Sequence, residues 1–204
     1  MSSIIFDFDG TLADSLPIVI ELFYEWSGLD PFSPSEIERM RNMSLKQVLA
    51  EVGIPLWKVP RLLAKARGQF GQRIDEVPVF AGMPEVIKKL HGGGHHLYVI
   101  SSNSSQNIRV FLKKQGIEQY FRDVKGNAGL FGKARAIKSI MRTYNLAPKD
   151  CYAIGDETRD IDAAKKAGIT SIAVNWGYNS DKALKARHPD HIVSKPAQIS
   201  ELLQ

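Results

Sequence analysis

Short apolar runs, three of them spilling into polar clusters, recur along this chain between segments of helical spacing. Ile4-Ile5-Phe6, with Phe8, is interleaved with Asp7, Asp9 and Gly10. Leu97–Ile100 runs into Ser101-Ser102-Asn103-Ser104, and Cys151–Ile154 runs into Gly155-Asp156-Glu157. Ser171–Val174 is a fourth run and His191–Val193 a weaker fifth. Runs this short and this continuously apolar read as strands buried on both faces. Helical segments separate them: one carries Ile108, Phe111 and Leu112 on one face, another spans Ala134 to Tyr144, and a third runs from Ile161 to Ala167 and ends at Gly168. A last short helix follows Val193. Such alternation predicts an α/β chain, a Rossmann-like parallel sheet with helices on both faces.

One block breaks the alternation. Nothing between residues 15 and 74 reads as a strand. Leu16, Val19, Ile20, Phe23 and Tyr24 have helical spacing. A helix start lies at Ser35-Glu36, and Ser44 with Gln47 fits a capping box opening Leu45–Val52. Pro55 begins another run to about Ile74. A further helix opens at Pro84-Glu85 and ends at Gly92-Gly93-Gly94. The expected organisation is a core of residues 1–14 and 79–204 with a small all-helical domain, 15–78, inserted after the first strand. The crossings near Ala13–Ser15 and Val77–Gly82 would be its hinges. Trp26 and Trp57 fall in the insert, as packing residues or facing a ligand.

Composition excludes several classes. The 204 residues suffice for a sizeable core. One cysteine cannot form an intramolecular disulfide, and Cys151 reads as a small core residue. The 16 Gly and 10 Pro are scattered rather than periodic. No stretch approaches the roughly 20 apolar residues of a membrane span. The start turns acidic at Asp7, unlike a signal peptide, so the chain reads as cytoplasmic. A net charge of +5 is spread over pairs such as Lys88-Lys89 and Lys165-Lys166. That pattern describes a solvated surface and points to neither a nucleic acid nor a membrane partner. A monomer or small homo-oligomer is expected.

In a doubly wound sheet, ligands bind beyond the carboxyl ends of the strands. Asp7 and Asp9 are two apart and on an extended chain point to the same side. Two carboxylates this close repel without a cation. Asp156 completes an oxygen-rich site whose hard ligands suit Mg²⁺ beside a phosphate. No Cys/His cluster suggests zinc. Gly132-Lys133, before the helix at Ala134, adds an ammonium to the same rim.

These residues carry a resemblance. Asp7-Phe-Asp-Gly-Thr-Leu-Ala-Asp-Ser15 resembles the first motif of the haloacid-dehalogenase-like hydrolase superfamily. The strand ending in Ser101 is similar to its second motif, Lys133 to its third, and Gly155-Asp156-Glu-Thr-Arg-Asp160 to its fourth. Ile172–Tyr178 and the helical insert resemble the phosphoglycolate-phosphatase-like branch, in which such an insert is a cap. The resemblance implies a Mg²⁺-dependent phosphatase acting on a small phosphorylated metabolite through an aspartyl-phosphate. Asp7 would be the nucleophile and Asp9 the acid and base. Mg²⁺ would sit between the Asp7 carboxylate, the Asp9 backbone carbonyl and Asp156, and with Ser101 and Lys133 it would stabilise the transferring phosphoryl group. Ser102, through its backbone N–H, and Asn103 would contact substrate. Asp160 would stand behind Lys133 or a metal-bound water.

Two departures stand out. Ala134 replaces a proline frequent after the third-motif lysine, and the loop Lys125–Gly132 is unusual. Lys133 is preferred because it opens a helix leading to the fourth motif, with Lys125 the competitor. Arg39 and Arg41, at a turn of the insert, are candidates for the substrate's distal anionic group, with a plain surface cluster as the alternative. A phosphomutase or phosphonate hydrolase would share the motifs, while Asp9 argues against a dehalogenase. Outside enzymes, a phospho-acceptor switch or a binding protein would share parts of the pocket. The former lacks the insert and the Asp9 acid at this spacing.

Overall fold

A computed structural model describes residues 1–129 and 132–203. The loop Lys125–Gly132 is thus described apart from Leu130 and Phe131, which lie outside the described residues. The apolar runs form a single parallel sheet. Its strands are β1 (Ser3–Phe6), β2 (His96–Ile100), β3 (Phe121–Lys125), β4 (Cys151–Gly155), β5 (Thr170–Val174) and β6 (His191–Val193), in the order β3-β2-β1-β4-β5-β6. Ten helices surround it among the described residues: α1 (Leu16–Ser27), α2 (Pro34–Arg41), α3 (Leu45–Glu51), α4 (Val59–Gln72), α5 (Met83–Gly92), α6 (Ser105–Lys114), α7 (Lys133–Thr143), α8 (Thr158–Ala167), α9 (Asp181–Lys185) and α10 (Pro196–Leu202). None is long and apolar enough to cross a membrane.

Every residue of β1 is buried, because both faces of the sheet are covered. Ile4 and Phe6 pack with Leu97, Val99, Ile108, Phe111 and Ile87, side chains of β2, α5 and α6. Ile5, on the opposite face, packs with Tyr98, Ile137, Ile140 and Ala164 from β2, α7 and α8. Two elements were not expected. β3 is an edge strand whose Arg122, Asp123 and Lys125 interrupt the apolar pattern, and α9 is only five residues long.

The helical block α1–α4 enters and leaves the sheet side by side. The Asp14 N–H donates to the Pro78 carbonyl at 2.9 Å and the Phe80 N–H to the Leu12 carbonyl at 3.1 Å. An antiparallel bridge pairs Ala13 with Val79 between them. Two of these helices, α2 and α3, have capped starts. Ser33 and Ser44 both form capping boxes, with Glu36 and Gln47. α1 ends on Gly28 at φ 64°, a left-handed residue of the kind glycine supplies at helix ends. α1 and α4 share the main core through Ile18, Leu22 and Phe70, and Ile74, just after α4, joins them. α2 and α3 bury no residue fully. Trp57 is 76% exposed, so it does not pack as an insert aromatic ordinarily would, whereas Trp26 is half-buried against the core.

Candidate active site

β1 lies between β2 and β4, with Phe6 opposite both Val99 and Ile154. Chain order runs outward from β1 in both directions, which leaves a crevice beyond its carboxyl end. Asp7 follows β1 directly, its N–H donating to the Ile154 carbonyl at 2.8 Å. Asp156 follows β4, Ser101 follows β2, Lys133 is the first residue of α7, and Asp160 lies in the first turn of α8. Sheet register and helix starts therefore bring these residues to one point.

The Lys133 ammonium touches both Asp7 Oδ2 and Asp160 Oδ1, and all three side chains are at most 8% exposed. Lys125 instead donates to Ser139 Oγ at 2.9 Å, so Lys133 is the lysine that meets Asp7. Asp160 Oδ2 accepts from the Glu157 N–H at 3.0 Å, anchoring the helix start that positions it. Asp156 accepts from Thr11 Oγ1 at 2.8 Å and from the Tyr178 N–H at 2.7 Å. A Cβ at Gly10 or at Gly177 would overlap the Asp156 carboxylate, so both positions have room only for a hydrogen. Gly10 also has φ 75°, a second reason for glycine there.

Asp9 faces a different neighbourhood. It accepts from Ser101 Oγ at 3.4 Å and from Asn103 Nδ2 at 3.3 Å. The Ser102 hydroxyl donates to the Gly129 carbonyl and accepts from Arg159 at 3.0 Å. Two residues apart in sequence, Asp7 and Asp9 thus occupy a charged trio and a neutral hydrogen-bonding niche, respectively.

Electrostatics follow from burial. Desolvation pushes the Asp7 carboxyl up to about 7 against the pull of Lys133. Asp9 is also raised by burial, opposed by hydrogen bonds from Ser15 and Asn103. Asp156 stands well above the usual carboxylate range, through burial and then the charges of Glu157, Asp7 and Asp160. Burial pulls Lys133 down, but Asp160 and Asp7 outweigh it and hold its ammonium charged.

The donor set fits a divalent cation. One oxygen each from Asp7, Asp156 and Asp160 lie within 4.8 Å of one another. Asp7 Oδ2 has no hydrogen-bond partner among the described residues, only the ion-pair contact of Lys133. Around this point four buried carboxylates, Asp7, Asp156, Glu157 and Asp160, face two cations, Lys133 and Arg159. Ionised together, these four would exceed the two cations by two charges, an excess that a hard dication bound through carboxylates would match. The carboxylate of Asp9, directed at Ser101 and Asn103, lies outside that cluster, which leaves its backbone carbonyl as the ligand atom expected from sequence.

Arg39 and Arg41 are not brought to the site. Arg39 pairs with Glu51 and is half-exposed. Arg41 Nε and Nη2 donate to the Tyr178 and Gly177 carbonyls, both at 3.2 Å, bracing the loop that holds Asp156. A cavity of about 530 Å³ opens between the strand ends and α1, α3 and α4, and neither arginine is among its described lining residues. The arginines that line it are Arg67, whose Nε donates to the Ser102 carbonyl at 2.8 Å, and Arg159, paired with Glu157. Arg159 sits inside the fourth motif, one residue before Asp160. Arg67 has no sequence signal, because only the fold of α4 over β2 brings it to Ser102. Thr11 and Tyr178 were also missed as Asp156 partners, although both fall in segments that carry the resemblance.

This arrangement can bind a phosphate beside a dication, offer one carboxylate to it, and hold a second carboxylate in a separate niche. A family model described as haloacid dehalogenase-like hydrolase matches residues 4–174. The chain belongs to the haloacid dehalogenase-like hydrolase family. A phosphoglycolate phosphatase of Synechococcus elongatus is 34% identical over 207 residues, covering 100% of this chain and 96% of that protein. A 5'-nucleotidase of Pseudomonas aeruginosa is 26% identical, covering 99% and 95%. A haloacid dehalogenase-like hydrolase structure from Streptococcus pneumoniae superposes with a TM-score of 0.82 at 22% identity, covering 100% of this chain and 99% of that one.

Proposed function

We propose that this chain is a Mg²⁺-dependent phosphatase that hydrolyses a small phosphomonoester through an aspartyl-phosphate, with residues 15–78 as a cap over a core of 1–14 and 79–204. The observation that carries this reading is the division of labour between Asp7 and Asp9. Carboxylates two residues apart are held in environments of different charge, a pattern that separates a nucleophile from an acid. Asp7 attacks phosphorus, and the phosphoryl group moves to its carboxylate as the ester oxygen departs. Asp9, its carboxyl raised by burial, gives that oxygen a proton and later takes one from the attacking water. Lys133 holds Asp7 in place and faces the phosphoryl oxygens, while Asp160 holds Lys133. Ser101, Ser102 and Asn103 provide hydrogen bonds on the opposite side. Asp7, Asp156 and the Asp9 carbonyl would hold the magnesium, which neutralises phosphoryl charge when bound.

Two relatives named for different substrates, a phosphoglycolate phosphatase and a 5'-nucleotidase, support phosphate-ester hydrolysis while leaving the alcohol open. A panel of phosphate esters assayed with Mg²⁺ and again after EDTA tests this reading. Turnover that requires the metal is expected, and full activity after exhaustive chelation would contradict it.

A further inference from the structure

The cavity beside the site is amphipathic along its length. At one end Asp9, Ser102, Asn103 and Arg159 line it. At the other, Phe23, Trp26, Leu49, Ile54, Leu63 and Phe70 line it from α1, α3, the following turn and α4. We infer that this apolar end receives the alcohol half of the phosphomonoester, and that this alcohol is a bulky apolar group, such as a medium-chain alkyl or arylalkyl, and not a two-carbon acid. The inference rests on the phosphatase reading for the phosphoryl half alone.

Size is the first argument. About 530 Å³ lies within the range that encloses drug-sized ligands. A two-carbon alcohol would leave most of the apolar wall exposed to water, whereas covering it is favourable by about 25 cal/mol per Å². Polar groups are few on this wall: Ser27 and Lys58 line it, and the Trp26 indole N–H is already donated to Gln69. Incomplete packing is the second. Leu45 and Leu49 on α3 and Leu62 and Leu63 on α4 are only half-buried although they face this space, so protein leaves their apolar surface uncovered. Charge is the third. Arg67 and Arg159 both converge on Ser102, at the phosphoryl end. Lys58 also lines the cavity and lies over the ring of the exposed Trp57, 5.3 Å from its centre. Among the described lining residues one cation, Lys58, thus stands away from the phosphoryl end, in a wall that is otherwise predominantly apolar.

Calorimetry with a series of n-alkylphosphonates, methyl to octyl, in the presence of Mg²⁺ tests this on the intact chain, because the carbon–phosphorus bond survives and binding is read without turnover. The expected result is a Kd that falls about fourfold per added methylene until the cavity is filled, the factor for burying one CH₂ group. kcat/KM for the matching alkyl phosphates should rise in parallel. Ala66→Trp, which fills the cavity from α4, should flatten the series, and an undiminished slope in that variant would overturn the assignment. The wild-type series decides on its own if that variant does not fold. A flat or inverted series with 2-phosphoglycolate hydrolysed best overturns the inference and leaves the phosphatase reading standing. A clear phosphonate slope with no ester hydrolysed does the reverse.

Discussion

Replacing Lys133 with methionine removes a cation and keeps most of the stem's volume. Its ammonium touches Asp7 and Asp160 where all three side chains are almost fully buried. Removing one member of a buried ion pair costs about 3–5 kcal/mol, because the remaining charge is left without compensation. The variant has one escape, which is protonation. Burial already lifts Asp7 to about 7 in the presence of the lysine, and without it the carboxyl rises further. A raised carboxyl pKa means that the native state binds a proton the unfolded state releases, so stability falls as pH climbs from the unfolded value to the folded one. In the metal-free wild type this fall runs from about 4, the unfolded value, to about 7. In Lys133→Met it continues above neutrality. Lys133 adds no slope there, since its own raised pKa keeps its contribution constant below about 10. Urea unfolding in EDTA should show a small difference between the two proteins near pH 5 and about 3–5 kcal/mol near pH 8. Mg²⁺ at a hundred times its Kd should return about 2.7 kcal/mol. A loss below about 0.5 kcal/mol at both pH values would refute the charge balance drawn here.

Other perturbations follow from the same geometry. Gly177→Ala drives a methyl into the Asp156 carboxylate and the Gly10 carbonyl. It should cost about 1–3 kcal/mol in thermal unfolding and raise the Mg²⁺ concentration for half-maximal activity, and an unchanged metal titration would show that Asp156 does not hold the metal. Arg41→Ala frees the loop at 177–178, whose Tyr178 lines the cavity, while Arg41 itself is not among the described lining residues. Its effect on kcat/KM should be the same for charged and apolar esters, and selective loss on a charged one would restore Arg41 as a substrate contact. Asp9→Asn should lower turnover by roughly 10²–10⁴-fold while metal binding persists, as read by steady-state kinetics and calorimetry.

The parts of the fold legible in the sequence are those in which one residue pattern fixes one outcome. β1, β2, β4 and β5 are largely apolar runs because both their faces are covered, and β1, β2 and β4 each end at a polar cluster that marks the carboxyl end. The Ser44–Gln47 box opens its helix where the spacing says. β3 escaped because an edge strand bearing Arg122, Asp123 and Lys125 has neither an apolar run nor strict alternation. The place of Lys133 before a helix favours it over Lys125 in the sequence, and the fold supplies the reason: α7 aims its ammonium at Asp7, while Lys125 turns to Ser139. Arg39 and Arg41 were plausible by charge alone. Their actual partners, Glu51 and the 177–178 carbonyls, depend on how α2 docks, which local sequence does not encode.

The claim that Asp7 carries the phosphoryl group is tested most directly by trapping. The wild-type enzyme with Mg²⁺ and a rapidly hydrolysed phosphate ester, quenched in acid within one turnover, should yield a peptide that contains Asp7 and bears one acid-stable, hydroxylamine-labile phosphoryl group. Asp7→Asn should yield none. Rapid ester hydrolysis with no label on that peptide, or with the label retained in Asp7→Asn, would contradict the account.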